Sequence, residues 1–358
     1  MSSRAHNLLL RSFVVLLGIA MMLSALTACQ ASDDAASSAD GKTYTFNLAH
    51  FFPGTHPAET VFVQGWIAAI DEATGGRVKI TSYPGETLSK AADIYNGVVE
   101  GVADIGLSCF SYNKGRFPVL EAFELPGITY NNSKAASMVA WEGIQTLNPA
   151  EVQDTKLMMV IATGPGHLFT KTPVRTLEDL KGMEIRATGV SANAITLLGG
   201  TPVGMSQADA YEALQKGIVK GNLSPVEVLK GWKHAEVTDY LTLTPFLYNT
   251  LFFVTFNLEK WNALPEDLRT IITETTSKFH EEAGIGMWDA QNEPALDYAV
   301  DETGMEVITL ADDEKARWIE SIRSIQSAYT EANGALSDRD VIEYITGLAE
   351  KYNAQFPG

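Results

Sequence analysis

Tyr44-Thr-Phe-Asn-Leu-Ala-His50 opens the stretch of sequence that decides the fold. Its large apolar residues alternate with smaller or polar neighbours, which is typical of a strand with one buried face. The apolar residues of 62–73 then recur at helical spacing, Val78–Tyr83 predicts a second strand, 91–102 a helix, and Ile105–Cys109 a third strand. Strands that alternate with helices in this way are typical of parallel β-α-β units. The sequence therefore predicts an α/β fold.

The same alternation returns in the middle of the chain. Leu157–Ala162 predicts a buried strand, Leu177–Leu180 a short helical turn, Glu184–Arg186 a strand, and 192–198 a helix. Further on, Leu251–Thr255 is strongly β-prone. Because a strand that returns late in the chain can rejoin an early sheet, the domains need not be contiguous in sequence.

After Leu264-Pro265 the sequence is helical in character. Pro265 suits a first helical turn, and one helix is predicted from there to about residue 300, with a break at Pro294. A second helix is predicted around Trp318–Tyr329 and a third around Val341–Leu348.

Length and charge narrow the class of protein. The chain has 358 residues, 46% of them hydrophobic and 20% charged, which is the composition of an ordinary globular protein. At about 150 residues per domain, this length predicts roughly two domains. With 44 acidic against 26 basic side chains, the net charge is -18, and such a surface repels nucleic acid and anionic lipid. We therefore expect no nucleic-acid partner, although one buried cation would still suffice to bind a small anion.

The first 28 residues have the pattern of a secretory signal, with Arg4 and Arg11, no acidic residue, and an apolar run from Phe13 to Leu23. That run is too short for a helix across a hydrocarbon core of about 30 Å. The next segment, Leu26-Thr-Ala-Cys29, resembles the lipobox of bacterial lipoproteins, which implies that Cys29 is lipidated and anchors the protein to a membrane. The alternative is a plain signal peptide whose cleavage site abuts a cysteine. Residues 30–41 are small and polar, and with Cys29 they are predicted to form a flexible tether.

Motifs of catalysis and metal binding are missing from the sequence. It has no GxxxxGK[ST], HExxH, GxSxG or CxxC motif, and no two of its six histidines are four residues apart. Gly189-Val-Ser191 resembles the start of a nucleophile elbow but lacks the closing glycine, so Ser191 is predicted to cap a helix. Cys109 lies in an apolar run and is predicted to be an inert core thiol. We expect no enzyme activity, no metal and no cofactor.

Arg186 is the strongest candidate for a binding residue. It ends the predicted strand Glu184–Arg186, just before a turn and a helix, where open α/β sheets place their ligands. A guanidinium at this place can bind a carboxylate through two parallel hydrogen bonds. The alternative is a surface ion pair at the end of a strand.

Six segments in order resemble the substrate-binding proteins of tripartite ATP-independent periplasmic (TRAP) transporters, the DctP-like family. The segments are Gly97–Gly106, Gly115–Gly127, Leu177–Arg186, Leu198–Val203, Tyr211–Gly221 and Trp261–Pro265. The resemblance implies a two-lobed periplasmic binding protein fold of type II-like architecture, with long C-terminal helices that span both lobes. It also implies that Arg186 binds the carboxylate of an organic acid, which the protein delivers to the membrane permease subunits.

Under this resemblance, residues 42–163 form the first lobe, together with a returning segment at about 251–300. Residues 164–250 form the second lobe, together with part of 301–358. The family's proteins close around an organic acid in the periplasm and catalyse no reaction. A sensor kinase is an alternative recipient of the closed form.

Two departures from the family pattern bear on the ligand. Ser224 stands where many members have an asparagine, and His167 stands nineteen residues before Arg186, where binders of dicarboxylates often carry a second arginine. Both departures favour a monocarboxylate with a bulky or aromatic remainder. Aromatic residues in loops after the strands are candidate pocket walls: Phe51, Tyr112, Phe246 and Tyr248. The alternatives are a C4-dicarboxylate or a 2-oxo acid as ligand and, less in keeping with the missing motifs, a periplasmic lipoprotein esterase.

Overall fold

Eleven strands are present in the computed structural model, which describes residues 42–334 and 340–358. In chain order they are β1 Tyr44–His50, β2 Val78–Tyr83, β3 Ile105–Cys109, β4 Thr155–Ala162, β5 Gly166–Thr170, β6 Glu184–Arg186, β7 Thr201–Val203, β8 Gly221–Pro225, β9 Tyr240–Leu243, β10 Leu251–Asn257 and β11 Glu306–Thr309. They form two sheets. The first has the order β2-β1-β3-β10-β4 and the second the order β11-β9-β5-β8-β6-β7.

Helices connect and cover both sheets. In chain order the α-helices are α1 Gln64–Ala73, α2 Ile94–Val99, α3 Ser133–Leu147, α4 Leu177–Leu180, α5 Ser191–Leu197, α6 Gln207–Gln215, α7 Val228–Gly231, α8 Leu258–Asn262, α9 Glu266–Phe279, α10 Asp289–Asp297, α11 Asp312–Ile322, α12 Ser324–Asn333 and α13 Val341–Gln355. No helix of the described residues is long and apolar enough to cross a membrane.

The predicted α/β class and two-lobed fold are confirmed, and both of the sheets are mixed. Strand β1 is parallel to β2 and β3, as predicted, whereas β10 is antiparallel to both β3 and β4. In the second sheet β5 is antiparallel to β8 and β9. Strand β10 is buried along its whole length, which explains its continuous apolar sequence. The lobe boundaries given above stay a prediction.

Two sequence predictions for the C-terminal part are wrong. Glu306–Thr309 is a strand within the region predicted to be helical, and it extends the second sheet by pairing with β9. The break in the long helix lies not at Pro294 but before it, where the π turn His280–Gly284 separates α9 from α10. Pro294 lies in the interior of α10, where its missing backbone N–H removes one helical hydrogen bond but does not end the helix.

The long helical segment contacts the elements of both sheets. Helix α9 packs against α1, which covers the first sheet, and α10 packs against α7, which follows β8 of the second sheet. Two chain segments that run from one sheet to the other lie side by side, because Thr163 N–H donates to Thr250 O and Gly166 N–H donates to Tyr248 O. The ends of β1 and β3 thereby face the ends of β6 and β8.

Candidate functional site

The ends of four strands surround a small cavity between the two sheets. The first sheet contributes residues that follow β1 and β3, and the second sheet contributes residues at the ends of β6 and β8. The lining residues are Phe51, Phe52, Cys109, Ser111, Tyr112, Arg186, Thr188, Gln207, Pro225, Glu227, Val228, Trp232, Tyr248, Thr250 and Phe252.

Arg186 is the cation of this cavity and is only 2% exposed. Its Nε donates to Met205 O at 3.1 Å, and its Nη1 donates to Ser224 Oγ at 3.2 Å. No carboxylate of the described residues pairs with it, and Nη2 has no hydrogen-bond partner among them. A guanidinium keeps its charge in proteins, and a buried charge requires a partner. Arg186 therefore presents a buried positive charge whose counter-ion must come from the cavity.

A chain of buried polar groups orients Arg186 from behind. Asn222 Oδ1 lies 3.5 Å from Arg186 Nη1 and accepts from Ser224 Oγ at 3.0 Å. The Asn222 amide therefore turns its Nδ2 to His234 Nδ1, at 3.1 Å, and His234 Nε2 faces the Gln207 amide at 3.0 Å. Burial and the nearby Arg186 charge lower the pKa of His234 to about 3. The imidazole is thus neutral and adds no second charge to the site.

Aromatic rings form the opposite side of the cavity. The rings of Phe51 and Phe52 stack with centroids 4.2 Å apart, and Tyr112 meets Phe51 edge-on at 5.5 Å. Trp232, which follows α7 from the second sheet, lies 6.0 Å from both phenylalanine rings. Its indole N–H has no hydrogen-bond partner in the described part of the chain. The cavity therefore combines a cationic end with apolar rings.

Two polar contacts bridge the sheets across the cavity. The Gln207 N–H at the start of α6 donates to the Tyr112 hydroxyl at 3.0 Å. His56, from the loop after β1, and Glu227, from the end of β8, join through Nε2 and Oε2 at 3.1 Å. Both side chains are almost fully buried. These contacts hold the walls together.

Close packing at Gly189 brings the same two sides into contact. Gly189 follows β6 and has a φ of +54°, which favours glycine. A Cβ added here would lie 2.9 Å from Ser111 Cβ and 3.3 Å from Glu124 Oε2, on the other side of the cleft.

The pKa of Glu124 is raised to about 8 by burial, even though its Oε1 accepts from Thr250 Oγ1 and Leu251 N–H. Glu124 is therefore mostly protonated at neutral pH.

Of the seven residues predicted to bind the ligand, the structure brings four to the lining of the cavity: Phe51, Tyr112, Arg186 and Tyr248. Ser224 lies directly behind them as a partner of Arg186. His167 lies outside the lining, where its Nδ1 accepts from Thr244 N–H and burial lowers its pKa to about 4. Phe246 is also buried outside the lining, in the segment that leads to β10.

One minor expectation is corrected, and another is extended. Ser191 does not cap α5; it is the first residue of that helix, and its Oγ donates to Thr188 O. Cys109 is buried and its thiol pKa is raised by burial, as an inert thiol requires, but it also lines the cavity. Cys29 and the tether 30–41 lie outside the described residues. Among those described, no three His, Cys, Asp or Glu side chains form a group that could hold a metal ion.

Several lining residues were not singled out from the sequence. Glu227 and Trp232 follow the end of β8 just as Gly189 follows the end of β6, so the rule that places ligands at strand ends could have found them. Gln207 begins a helix after β7 and offered the same positional signal. His56 offered none, because an isolated histidine in a loop has no distinguishing pattern.

Comparisons with known proteins agree with this architecture. A family model described as bacterial extracellular solute-binding protein, family 7 (DctP), matches residues 48–332. The crystal structure of a TRAP solute-binding protein from Rhodoferax ferrireducens T118, in complex with copurified benzoate, is 26% identical, with a TM-score of 0.81 over 87% of this chain and 99% of that one.

Two further proteins extend the comparison. A marine metagenome TRAP solute-binding protein specific for aromatic acid ligands, in complex with 3-hydroxybenzoate, is also 26% identical, with a TM-score of 0.81 over 87% of this chain and 99% of that one. The 2,3-diketo-L-gulonate-binding periplasmic protein YiaO of Escherichia coli is 26% identical over 246 residues, which are 67% of this chain and 74% of that protein.

Proposed function

The chain belongs to the DctP family of bacterial extracellular solute-binding proteins, and from this premise we propose that it captures an aromatic or similarly bulky monocarboxylate for a TRAP transporter. It is a periplasmic solute-binding protein of the TRAP type, which binds small organic acids and is not an enzyme. The resemblance noted in the sequence is thereby confirmed.

The observation that carries the proposal is the buried Arg186 guanidinium, without a carboxylate partner among the described residues, at one end of a cavity lined with rings. A ligand carboxylate can accept from its free Nη2 and neutralise its charge, and charge-assisted hydrogen bonds are strong in a desolvated site. One carboxylate is enough, since Arg186 is the one Lys or Arg side chain among the described residues that line the cavity.

The remainder of the ligand must suit the rings. Phe51, Phe52 and Trp232 offer flat apolar faces, and each aromatic pair contributes about 0.5 to 1.5 kcal/mol beyond the area that it buries. Two structural neighbours at 26% identity carry benzoate and 3-hydroxybenzoate. His167 is neutral at physiological pH and cannot replace a second arginine, which disfavours a dicarboxylate. An aromatic acid therefore fits better than succinate or pyruvate.

Capture would proceed by closure of two lobes, for which we retain the predicted boundaries, 42–163 with 251–300 and 164–250 with part of 301–358. The contacts from Tyr112 to Gln207 and from His56 to Glu227 would form as the lobes meet. Closure removes water from the Arg186 carboxylate pair, and the closed shape is what membrane permease subunits would recognise.

The experiment starts from whatever small molecule travels with the purified protein, identified by mass spectrometry after denaturation. A melting-shift screen then compares benzoate, 3-hydroxybenzoate, succinate and pyruvate. We expect the aromatic acids to give the largest rise in Tm. A larger rise with succinate or pyruvate would contradict the aromatic ligand and favour the C4-dicarboxylate or 2-oxo acid alternative.

We also propose that Cys29 is lipidated and tethers the body to the membrane through residues 30–41. The support is the Leu26-Thr-Ala-Cys29 pattern after an apolar run. Stable anchoring requires more than one acyl chain, which lipidation of such a cysteine would supply. Mass spectrometry of the mature N-terminus tests this, and release of Cys29→Ser into the soluble fraction is the expected result. A mature chain that starts elsewhere, without lipid, would contradict it.

A further inference from the structure

Glu227 is an acidic group in a cavity that the proposed function assigns to an anion. It is 3% exposed and lines the same cavity as Arg186. No cation other than a histidine pairs with it in the described part of the chain. An unneutralised buried carboxylate is costly, so its presence in the site requires an explanation.

The hydrogen bonds of His56 show which atom carries the proton. Ala58 N–H donates to His56 Nδ1 at 3.0 Å, so Nδ1 is an acceptor and the neutral ring carries its hydrogen on Nε2. That hydrogen is donated to Glu227 Oε2 at 3.1 Å. Glu227 is therefore the acceptor of this pair.

The other carboxylate oxygen, Glu227 Oε1, has no hydrogen-bond partner among the described residues. The backbone of α7 packs closely against the pair, because a Cβ on Gly231 would lie 2.6 Å from His56 Nε2 and 2.9 Å from Glu227 Oε2. One oxygen is thus fixed by His56, and the other is left to accept from whatever fills the cavity.

We propose that Glu227 is a specificity-determining residue that selects monocarboxylates carrying a hydrogen-bond donor, such as a hydroxyl or ammonium group, away from the carboxylate. This inference rests on the proposed function. Arg186 binds the anionic end of the ligand, and Glu227 Oε1 accepts from the donor at another point of the cavity wall. A second carboxylate on the ligand would meet Glu227 as a like charge, so the same residue excludes dicarboxylates.

The test uses calorimetric titration of the purified protein with acids that differ by one group. The acids are benzoate, 3-hydroxybenzoate, 3-(aminomethyl)benzoate, benzene-1,3-dicarboxylate, and the pair phenylacetate and 3-hydroxyphenylacetate. We expect the wild type to bind at least one donor-bearing acid about 10- to 100-fold more tightly than its parent, the range for a hydrogen bond to a charged group. Comparison of 3-(aminomethyl)benzoate with the two hydroxylated acids shows whether the site prefers an ammonium or a hydroxyl donor.

Two variants distinguish the role of Glu227 in selecting the ligand from the role of the His56–Glu227 contact in closing the cavity. Glu227→Met keeps the length of the side chain but removes the acceptor, so the preference for the donor-bearing acid should disappear and the dicarboxylate should bind better than to the wild type. His56→Ala removes the bridge and keeps the carboxylate. It should weaken binding of both members of each pair to a similar extent and leave their ratio intact.

Equal affinity of the wild type for both members of every pair overturns the inference and leaves the proposed function standing. The inference is also overturned if Glu227→Met and the wild type show the same ratio of affinities for the two members of each pair. Failure of all six acids to bind the wild type contradicts the proposed function, and the inference falls with it.

Discussion

The two sides of the cavity differ in whether their buried ionisable groups are charged. The polar wall, consisting of Arg186, Asn222, Ser224, Gln207 and His234, keeps one charge and surrounds it with oriented hydrogen-bonding groups. The aromatic wall, consisting of Phe51, Phe52, Tyr112 and Phe252, presents ring faces, and the buried acid near it, Glu124, is mostly protonated. The polar wall thus keeps its charge because acceptors orient the guanidinium, whereas the acid beside the rings is neutral.

This difference assigns different tasks to the walls. The polar wall would fix the position of the ligand carboxylate and supply most of the affinity. The aromatic wall would accept flat apolar groups, since aromatic rings pair favourably in offset-stacked or edge-on arrangements. Trp232 and Glu227 connect the two, because both follow β8 of the second sheet but contact residues that follow β1 of the first.

The largest effect is expected for Arg186→Ala, which removes the charge of the polar wall. The ligand carboxylate would be buried without a partner, at a cost of roughly 3 to 5 kcal/mol, or about two to three and a half decades in Kd. Titration with the copurified ligand measures this. Arg323→Ala, which removes an exposed arginine paired with Glu320, is the control and should leave Kd unchanged. Equal Kd values for wild type and Arg186→Ala would contradict the assignment.

The next effect concerns the stability of the protein and tests the neutral acid beside the aromatic wall. The pKa of Glu124 is about 8 in the folded protein against an ordinary value of 4.5. Between these values the folded protein holds a proton that the unfolded chain releases, so this group lowers the free energy of unfolding as pH rises from about 4.5 to about 8. The slope is roughly 1.4 kcal/mol for each pH unit.

Glu124→Gln should remove that slope. Urea denaturation at pH 5 and pH 8 should show a small difference between the variant and the wild type at pH 5, and a variant that is clearly more stable at pH 8. Glu331→Gln, at an exposed position of α12, should show neither effect. A difference that does not grow with pH would mean that Glu124 is ionised throughout.

A smaller effect is expected where the walls touch. Gly189→Ala adds a Cβ only 2.9 Å from Ser111 Cβ, so the two sides cannot approach fully. We expect ligand affinity to fall by about 1 to 3 kcal/mol, the usual cost of overpacking. Gly182→Ala is the matched control, since Gly182 also has a positive φ, of +72°, but its Cβ would have no neighbour within 4 Å. It should lower the free energy of unfolding by about 1 to 2 kcal/mol without changing Kd.

The sequence predicted the positions of the strands better than their pairing within the sheets. The bounds of β2, β3 and β6 match their predicted ranges, because alternation and apolar runs are local signals. The antiparallel insertion of β10 between β3 and β4 depends on contacts between residues far apart in sequence, which no local pattern records. Strand β11 was missed because only Ile308 of its four residues is buried, which leaves hardly any pattern to detect.

The residues of the site likewise fall into those that a local sequence pattern predicts and those that depend on contacts between distant segments. Arg186 was found because the strand-end rule applied to a single strand and its one cation. Glu227, Trp232 and His56 were not, because their role depends on the approach of the second sheet to the first. A functional residue that acts across a cleft becomes visible only when both sides of the cleft are known.

The smallest effect is expected for the aromatic wall itself. Phe51→Leu keeps an apolar side chain but removes the ring face, so ligand affinity should fall by about 0.5 to 1.5 kcal/mol, or roughly 2- to 12-fold in Kd. Phe110→Leu is the matched control, because Phe110 also follows a strand of the first sheet but packs against Phe117 and Phe253 in the core. It should lower the free energy of unfolding and leave Kd unchanged. If Phe110→Leu weakened binding more than Phe51→Leu did, the ligand would not rest on the aromatic wall, and the two sides of the cavity would not divide their tasks as described.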